Sequence, residues 1–296
     1  MNASHGENYS AGIAYVLIAT VGWSLSGLFV RLLPGLDGWQ INCWRGFSMA
    51  VFLSMYLVLI YGTDAFAKLR AIPLIAIATS AGFFAAGSTM YVSALTHAST
   101  AVVSVFGTLA PLIAGLLSPW ITGEKPSIWS WAGALLAVAG VTVIAGPELM
   151  NGNINGMLLS LGYPISFAAQ TLALRRYRAV DMTPALCVGG LFSFIVAGFA
   201  GGFATPVAAL PVIALMGLVQ MAIPISFYVM GARAVPAITL SLIVLLDVVL
   251  NPFWSWLGTG EIPDARALTG AAVILIAVLL SVLGGAYAQN RRNLAR

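Results

Sequence analysis

The chain reads as an all-α membrane protein of ten transmembrane helices in two inverted five-helix repeats, and three observations predict it: sustained apolarity, an alternating placement of basic residues, and an internal duplication. Of its 296 residues 60% are hydrophobic and 7% charged, with mean hydropathy +0.97, whereas soluble domains carry roughly 25% charged residues. A hydrocarbon slab about 30 Å thick takes roughly 20 apolar residues per helix, so ten spans use almost the whole chain. The longest polar stretches, 1–10, 64–70 and 289–296, are too short to build a core of their own.

The first span, 11–33, carries Gly22, Trp23 and Ser26. The tail ahead of it has no Lys or Arg, and its apolar run is too long for a signal-peptide core, so this span is expected to stay in the protein. The second, 39–61, holds Cys43 and Arg45; the third, 72–95, holds Phe83, Phe84, Ser88 and Tyr91. A three-residue connection containing His97 leads to the fourth span, 99–120, with Ser104, Thr108 and Pro111, and then to the plainer fifth, 128–145. The sixth, 154–174, brings Tyr163, Pro164, Ser166 and Gln170, and the seventh, 183–203, brings Cys187. Gln220, Pro224 and Tyr228 fall in the eighth, 209–231; Ser241, Asp247, Asn251 and Pro252 in the ninth, 235–257; the tenth is 265–286. Continuous apolarity without dyad alternation disfavours a barrel. Cys43 and Cys187 are expected near opposite membrane faces, which leaves no disulfide to form.

Orientation follows from the basic residues, which concentrate in cytoplasmic connections. With the N-terminus inside, the inner connections hold ten of the 13 Lys and Arg and the outer ones only Arg31 and Arg266, Arg45 being part of a span. Both termini are therefore expected in the cytoplasm, and an odd number of spans would erase this bias. The basic pI near 9.3 is read as topology and not as a nucleic-acid footprint, because the charges sit between apolar runs.

The segment Thr122, Gly123, Glu124, Lys125, Pro126 recurs as Thr259, Gly260, Glu261, Ile262, Pro263, and Gly133 and Ala134 recur at the same offset as Gly270 and Ala271. More weakly, Gly22, Trp23 and Ser26 match Gly162, Tyr163 and Ser166. Two repeats are expected, 11–146 and 152–287. Five being odd, the second enters the membrane inverted, an architecture shared by many secondary transporters.

The run YVSALTHASTAVVSVFGTLAPLIAGLLSPWITGEKP, from Tyr91 to Pro126, followed by Gly133 and Gly140, resembles the EamA family of the drug/metabolite transporter superfamily. It has that family's short connection between the third and fourth helices, small residues opening the fourth, a mid-helix proline, and a helix-terminal glutamate before a glycine-bearing fifth helix. The second copy keeps the glutamate, proline and glycine, but Pro252 does not align with Pro111, whose counterpart is Val248. Arg45 sits where the family often has an arginine. The resemblance covers nearly the whole chain and implies a ten-helix exporter of small metabolites in a bacterial inner membrane, amino acids being the substrate class named first. It also implies a central cavity lined by helices one, three, four, six, eight and nine.

Polar side chains facing lipid are costly, so they are expected to turn inward. The substrate-lining candidates are accordingly Trp23, Ser26, Phe83, Ser88, Tyr91, Ser104, Thr108, Tyr163, Ser166, Gln170, Gln220, Tyr228, Ser241, Asp247 and Asn251. Aromatic walls with hydroxyl and amide groups suit a zwitterion with an apolar side chain; the alternative for each residue is a helix-packing role. Asp247 is the only acidic residue deep in a span and is read either as a substrate-ammonium or proton site or as a packing residue set against Arg45. Arg45 is read as snorkelling to interfacial water, with carboxylate binding as the alternative. Glu124 and Glu261 are read as capping or anchoring the helix that follows each. Pro111, Pro164, Pro224 and Pro252 are hinge candidates, since each removes a backbone donor inside a span.

Catalysis is not expected. The two histidines, His5 and His97, lie outside the spans, no cluster has metal-ligand spacing, no phosphate loop is present, and neither Lys68 nor Lys125 is intramembrane. No metal, cofactor or nucleic-acid partner is expected; the partners are a small molecule and the bilayer, and a monomer suffices. The competing readings are a drug or other metabolite carrier of the same superfamily, and a passive channel or membrane scaffold.

Overall fold

A computed structural model of the chain describes residues 3–97, 100–149, 154–259 and 265–294; the side chains of Ser104, Asn251 and Pro252 lie outside the described residues, as does Glu261. Every regular element among the described residues is helical. Numbered by the ten spans that the sequence predicts, the first is α1 (Ala3–Ser24) and α2 (Ser26–Arg31), and the second is α3 (Gly38–Tyr61). A 3₁₀ turn, Gly62–Asp64, and the short α4 (Ala65–Arg70) occupy the connection to α5 (Leu74–His97). His97 is thus the last residue of a helix and not part of a loop. The fourth and fifth spans are α6 (Thr100–Gly107) with α7 (Leu109–Ile121), and α8 (Ile128–Leu149).

The chain continues with α9 (Ile154–Arg176) and α10 (Thr183–Gly201). The eighth span is composite: α11 (Leu210–Met216), a π-helical turn Gly217–Ala222, and α12 (Ile223–Ala232). The ninth is α13 (Ala237–Val244) and α14 (Leu246–Thr259), and the tenth is α15 (Ala265–Leu294). Among the described residues, six helices can cross a membrane by length and apolarity, and three shorter apolar helices accompany them. The 23-residue α9 carries Ser160, Ser166, Gln170 and Thr171, all buried. Its polarity points into the protein.

Local chemistry explains the ends. Asp37 caps α3, its carboxylate accepting the Trp39 and Gln40 amides while the Gln40 side chain accepts the Asp37 amide, which satisfies donors that the first turn of a helix leaves open. Gly123 takes φ +72° just after the Thr122 C-cap of α7, a left-handed stop that glycine adopts without steric cost. That accounts for the glycine of the first Thr-Gly-Glu motif.

Among the described residues, three of these spans are interrupted by a single residue, at Leu25, Thr108 and Leu245. Each keeps right-handed backbone angles, and each amide bonds three residues back, to Gly22, Val105 and Leu242 respectively, a 3₁₀ tightening of the kind that marks strain or a hinge inside a helix. Pro111 stands three residues after the Thr108 break, yet the break at Leu245 has no proline in the matching place. In the eighth span Pro224 lacks the amide that the Gln220 carbonyl would receive in an α-helix. The chain widens there into the π turn. Pro164 lies inside an uninterrupted α9.

Packing joins α8 to α15, α3 to α10, α5 to α9, α1 to α12, and α7 to α13. Small residues allow this closeness, since in lipid helix association rests on packing and not on hydrophobic exclusion. A Cβ built on Gly46 of α3 would lie 2.8 Å from the Gly190 carbonyl, and one on Gly190 of α10 would lie 2.8 Å from the Gly46 carbonyl. Only glycine fits at this crossing.

Candidate functional site

Eight of the fifteen expected residues converge on one cavity of about 90 Å³ in the middle of the bundle: Trp23, Ser26, Ser88, Tyr91, Tyr163, Gln170, Gln220 and Asp247. Ser241, its hydroxyl buried without a partner among the described residues, lines a smaller recess of about 20 Å³ that shares Tyr91, Tyr163 and Asp247 with the main cavity. The helix interruptions place several of these groups. Ser26 and Asp247 stand one and two residues beyond the breaks at Leu25 and Leu245, and Gly107, one residue before Thr108, lines the recess. Aromatic rings form a continuous wall. Tyr91 meets Tyr163 at 5.0 Å between centroids, Tyr163 meets Phe167 at 6.1 Å, and Phe167 meets Trp23 at 6.2 Å.

Other expected residues stand elsewhere. Phe83 is 38% exposed and stands outside this cavity, while Phe84, 8% exposed, takes the inward place. Ser88 and Tyr91 lie four and seven residues beyond Phe84, so the 3.6-residue period puts Phe84 on their face and turns Phe83 away. Thr108 is fully buried and gives its hydroxyl to the Val105 carbonyl at 2.6 Å. Ser166 packs on Gly87 and faces the Met90 sulfur at 3.9 Å. Tyr228 lies beyond the cavity wall. Ser104, Asn251 and Pro252 fall outside the described side chains.

Arg45 corrects the snorkelling expectation. It is 2% exposed, lies seven residues into α3, and turns inward to line the cavity. Its guanidinium donates to Asn42 Oδ1 and Ser88 Oγ, both at 2.8 Å, and to Gln220 Oε1 at 3.4 Å. The π turn presents Gln220 to it. The pairing of Asp247 against Arg45 does not occur, since the ion pairs among the described residues are Arg175–Glu124, Arg178–Glu124 and Arg233–Asp181. One signal for Arg45 was available in the sequence: a charged side chain far enough inside a span faces protein or water by default.

A second, larger cavity of about 970 Å³ opens where Lys125, Arg175, Arg178 and Arg233 gather around Glu124. Glu124 does not cap its own following helix. Its carboxylate pairs with Arg175 and, at 3.3 Å, with Arg178, and its other oxygen accepts the Ala237 amide at the start of α13 at 3.4 Å. An acid at that helix N-terminus meets open donors and the positive end of the dipole.

A closed layer separates the two cavities. On α9, Phe167 and Gln170 line the inner cavity and Arg175 the outer one; on α12, Ile225 lines the inner and Met230 the outer; on α1, Trp23 lines the inner and Tyr15 the outer. Between them Val16, Ala19, Thr20, Thr171, Leu172, Tyr228 and Leu240 are all 0% exposed. A hydrogen bond of 2.7 Å joins Tyr228 to Thr171 across this layer, and Thr171 also donates to the Phe167 carbonyl at 2.9 Å. The single Thr171 proton is therefore committed, so Tyr228 is the donor of the pair.

A buried polar cavity with aromatic walls, a cation and an acid can hold and orient a small molecule, and among the described residues no group of His, Cys, Asp and Glu is placed to hold a metal. Comparison with known proteins agrees with a carrier. A solved crystal structure superposes with TM-score 0.79 over 93% of this chain and 97% of its own at 18% identity, a likeness of fold. A probable terminal-alkyne amino-acid exporter of Streptantibioticus cattleyicolor is 27% identical over 97% of this chain and 96% of its own. The model of the EamA-like transporter family matches twice, over 10–146 and 150–283. The chain therefore belongs to the EamA-like transporter family of the drug/metabolite transporter superfamily, and is a multi-pass membrane transporter and not an enzyme.

Proposed function

We propose that this protein exports small amino acids across a bacterial inner membrane by alternating access, as two inverted five-helix repeats of ten spans with both termini in the cytoplasm. The observation that carries the reading is the small central cavity, which holds Asp247 among aromatic rings and is sealed from the larger basic one. At about 90 Å³ it is well below the roughly 300–1,000 Å³ typical of drug-sized pockets, which favours a metabolite over a drug. An intramembrane carboxylate suits the ammonium end of such a substrate, and the similarity to a probable amino-acid exporter points the same way.

The repeat is supported by the interruptions at Thr108 and Leu245, which keep the same chain offset as Glu124 and Glu261. It is also supported by the packing pairs: exchanging each span with its counterpart five later turns the pairing of α1 with α12 into that of α9 with α5, and leaves the pairs α3 with α10, α7 with α13, and α8 with α15 unchanged. The basic rim of the larger cavity comes from connections assigned to the cytoplasm, so the sealed layer is the cytoplasmic closure. Alternating access requires that layer to part.

The test is counterflow in liposomes holding the purified protein, with a panel of labelled amino acids and unlabelled competitor on the far side, with and without a pH gradient. Saturable, trans-stimulated flux is expected. A passive channel would show no trans-stimulation, and no flux above empty liposomes from folded protein would overturn the amino-acid reading.

A further inference from the structure

We propose that Arg45 is the site that binds the substrate carboxylate and thereby selects α-amino acids over amines and amides. The inference rests on the amino-acid reading above and adds the residue that would recognise the acid end.

Arg45 is a cation 2% exposed in the membrane interior, where an ionised group is retained only if it is paired or has a use. All its partners among the described residues are neutral: Asn42, Ser88 and Gln220. Those three bonds engage three of the five guanidinium N–H donors, which leaves two uncommitted among the described residues on a side chain that lines the cavity. These two are Nε–H and one Nη1–H, since both Nη2 protons go to Asn42 and Ser88; they lie on different edges of the guanidinium, and each can give a carboxylate oxygen one charge-assisted hydrogen bond.

The surrounding polar groups act as a brace. Ser88 Oγ donates to Asn42 Oδ1 at 2.7 Å, and both accept from the same Arg45 Nη2 at 2.8 Å. Asn42 Nδ2 in turn donates to Thr89 at 3.3 Å. Asn42 and Ser88 are thus each held in place by a further bond, so the guanidinium is aimed before any ligand arrives. A packing role alone would call for a counter-ion; Asp247 lines the same cavity without forming an ion pair with Arg45. A cation and a carboxyl group that face one small cavity without pairing to each other fit a zwitterion, its carboxylate on Arg45 and its ammonium toward Asp247.

The first test uses the unaltered protein in liposomes. Trans-stimulated flux of a transported amino acid is challenged with three analogues of the same side chain: the acid itself, its amide, and the amine lacking the carboxyl group. The acid is expected to compete at least tenfold more strongly than either analogue, and equal competition by all three would overturn the proposal while leaving the carrier reading intact. The absence of flux with every amino acid would overturn the reading beneath it instead. The second test compares Arg45→Gln with Arg45→Lys, each checked for a single symmetric elution profile. Arg45→Gln is expected to abolish the preference for acid over amide, and Arg45→Lys to keep part of it. An unchanged acid-to-amide ratio in Arg45→Gln would refute the assignment, and if that variant does not fold, the analogue series on the unaltered protein decides alone.

Discussion

Removing the Thr171–Tyr228 hydrogen bond should open the closed layer from the side of the larger cavity, and the two halves of the pair should not be equivalent. Thr171 gives its only proton to the Phe167 carbonyl, so Tyr228 donates to Thr171. Tyr228→Phe removes a donor and leaves Thr171 with its backbone bond. Thr171→Val removes the acceptor and strands a phenolic proton at a residue 0% exposed. Stranding a buried donor costs more than removing both partners, so Thr171→Val should shift the equilibrium further, and the double variant should fall back toward Tyr228→Phe. Side-chain hydrogen bonds between membrane helices average about 0.6 kcal/mol with a maximum near 1.7, which converts to roughly a threefold to eighteenfold rise in the open population. The assay is thiol labelling of Ser26→Cys, a cavity position, in a background with Cys43 and Cys187 replaced by alanine, using an impermeant reagent applied from each side of oriented vesicles. Labelling from the larger-cavity side should rise by that factor in Thr171→Val, and less in Tyr228→Phe. Equal rates in both variants and the parent, or a larger rise in Tyr228→Phe, would refute the argument.

Asp247→Asn keeps the shape of a side chain at the cavity and removes its charge; if it meets a substrate ammonium, flux of a zwitterion should fall on the order of tenfold to a hundredfold, the worth of about 1.5–3 kcal/mol for a hydrogen bond to a charged group, with unchanged flux as the refuting outcome. Glu124→Gln weakens the pairing with Arg175, which is 4% exposed, and also the α13 cap; because Arg175 keeps its 2.7 Å bond to the Ala232 carbonyl, the expected loss is below the roughly 3–5 kcal/mol of a fully broken buried pair, seen as a lowered melting temperature in detergent. Arg178→Gln touches the same carboxylate from a side chain 53% exposed and should change stability by less than about 1 kcal/mol; a larger loss than in Glu124→Gln would overturn the ranking. Gly46→Ala drives a methyl against the Gly190 carbonyl and should cost about 1–3 kcal/mol as overpacking does, whereas Gly82→Ala meets nothing within 4 Å and should be neutral or slightly stabilising; melting curves of the two, side by side, check the contrast.

The sequence by itself determined the class of the protein, because the bilayer imposes a one-dimensional rule that apolar runs of sufficient length become helices. It also pointed to Asp247, Tyr91, Tyr163, Gln170 and Gln220, since polar groups in a lipid-bound helix must turn toward protein. What it left open was the direction of each side chain. A membrane helix is apolar toward lipid and toward its neighbours alike, so the amphipathic period that reveals the inner face of a soluble helix is nearly absent, and Phe83 and Phe84 cannot be told apart by composition. Only the tertiary structure turned Arg45 away from the interface, because its partners Ser88 and Gln220 lie 43 and 175 residues away in the chain. Likewise, the break at Leu245 arises without a local proline, and the π turn that presents Gln220 depends on how α12 packs beyond Pro224. The sealed layer has no sequence signature of its own: it forms where Thr171, Tyr228, Val16 and Leu240, each ordinary in its own helix, are brought to one depth by packing.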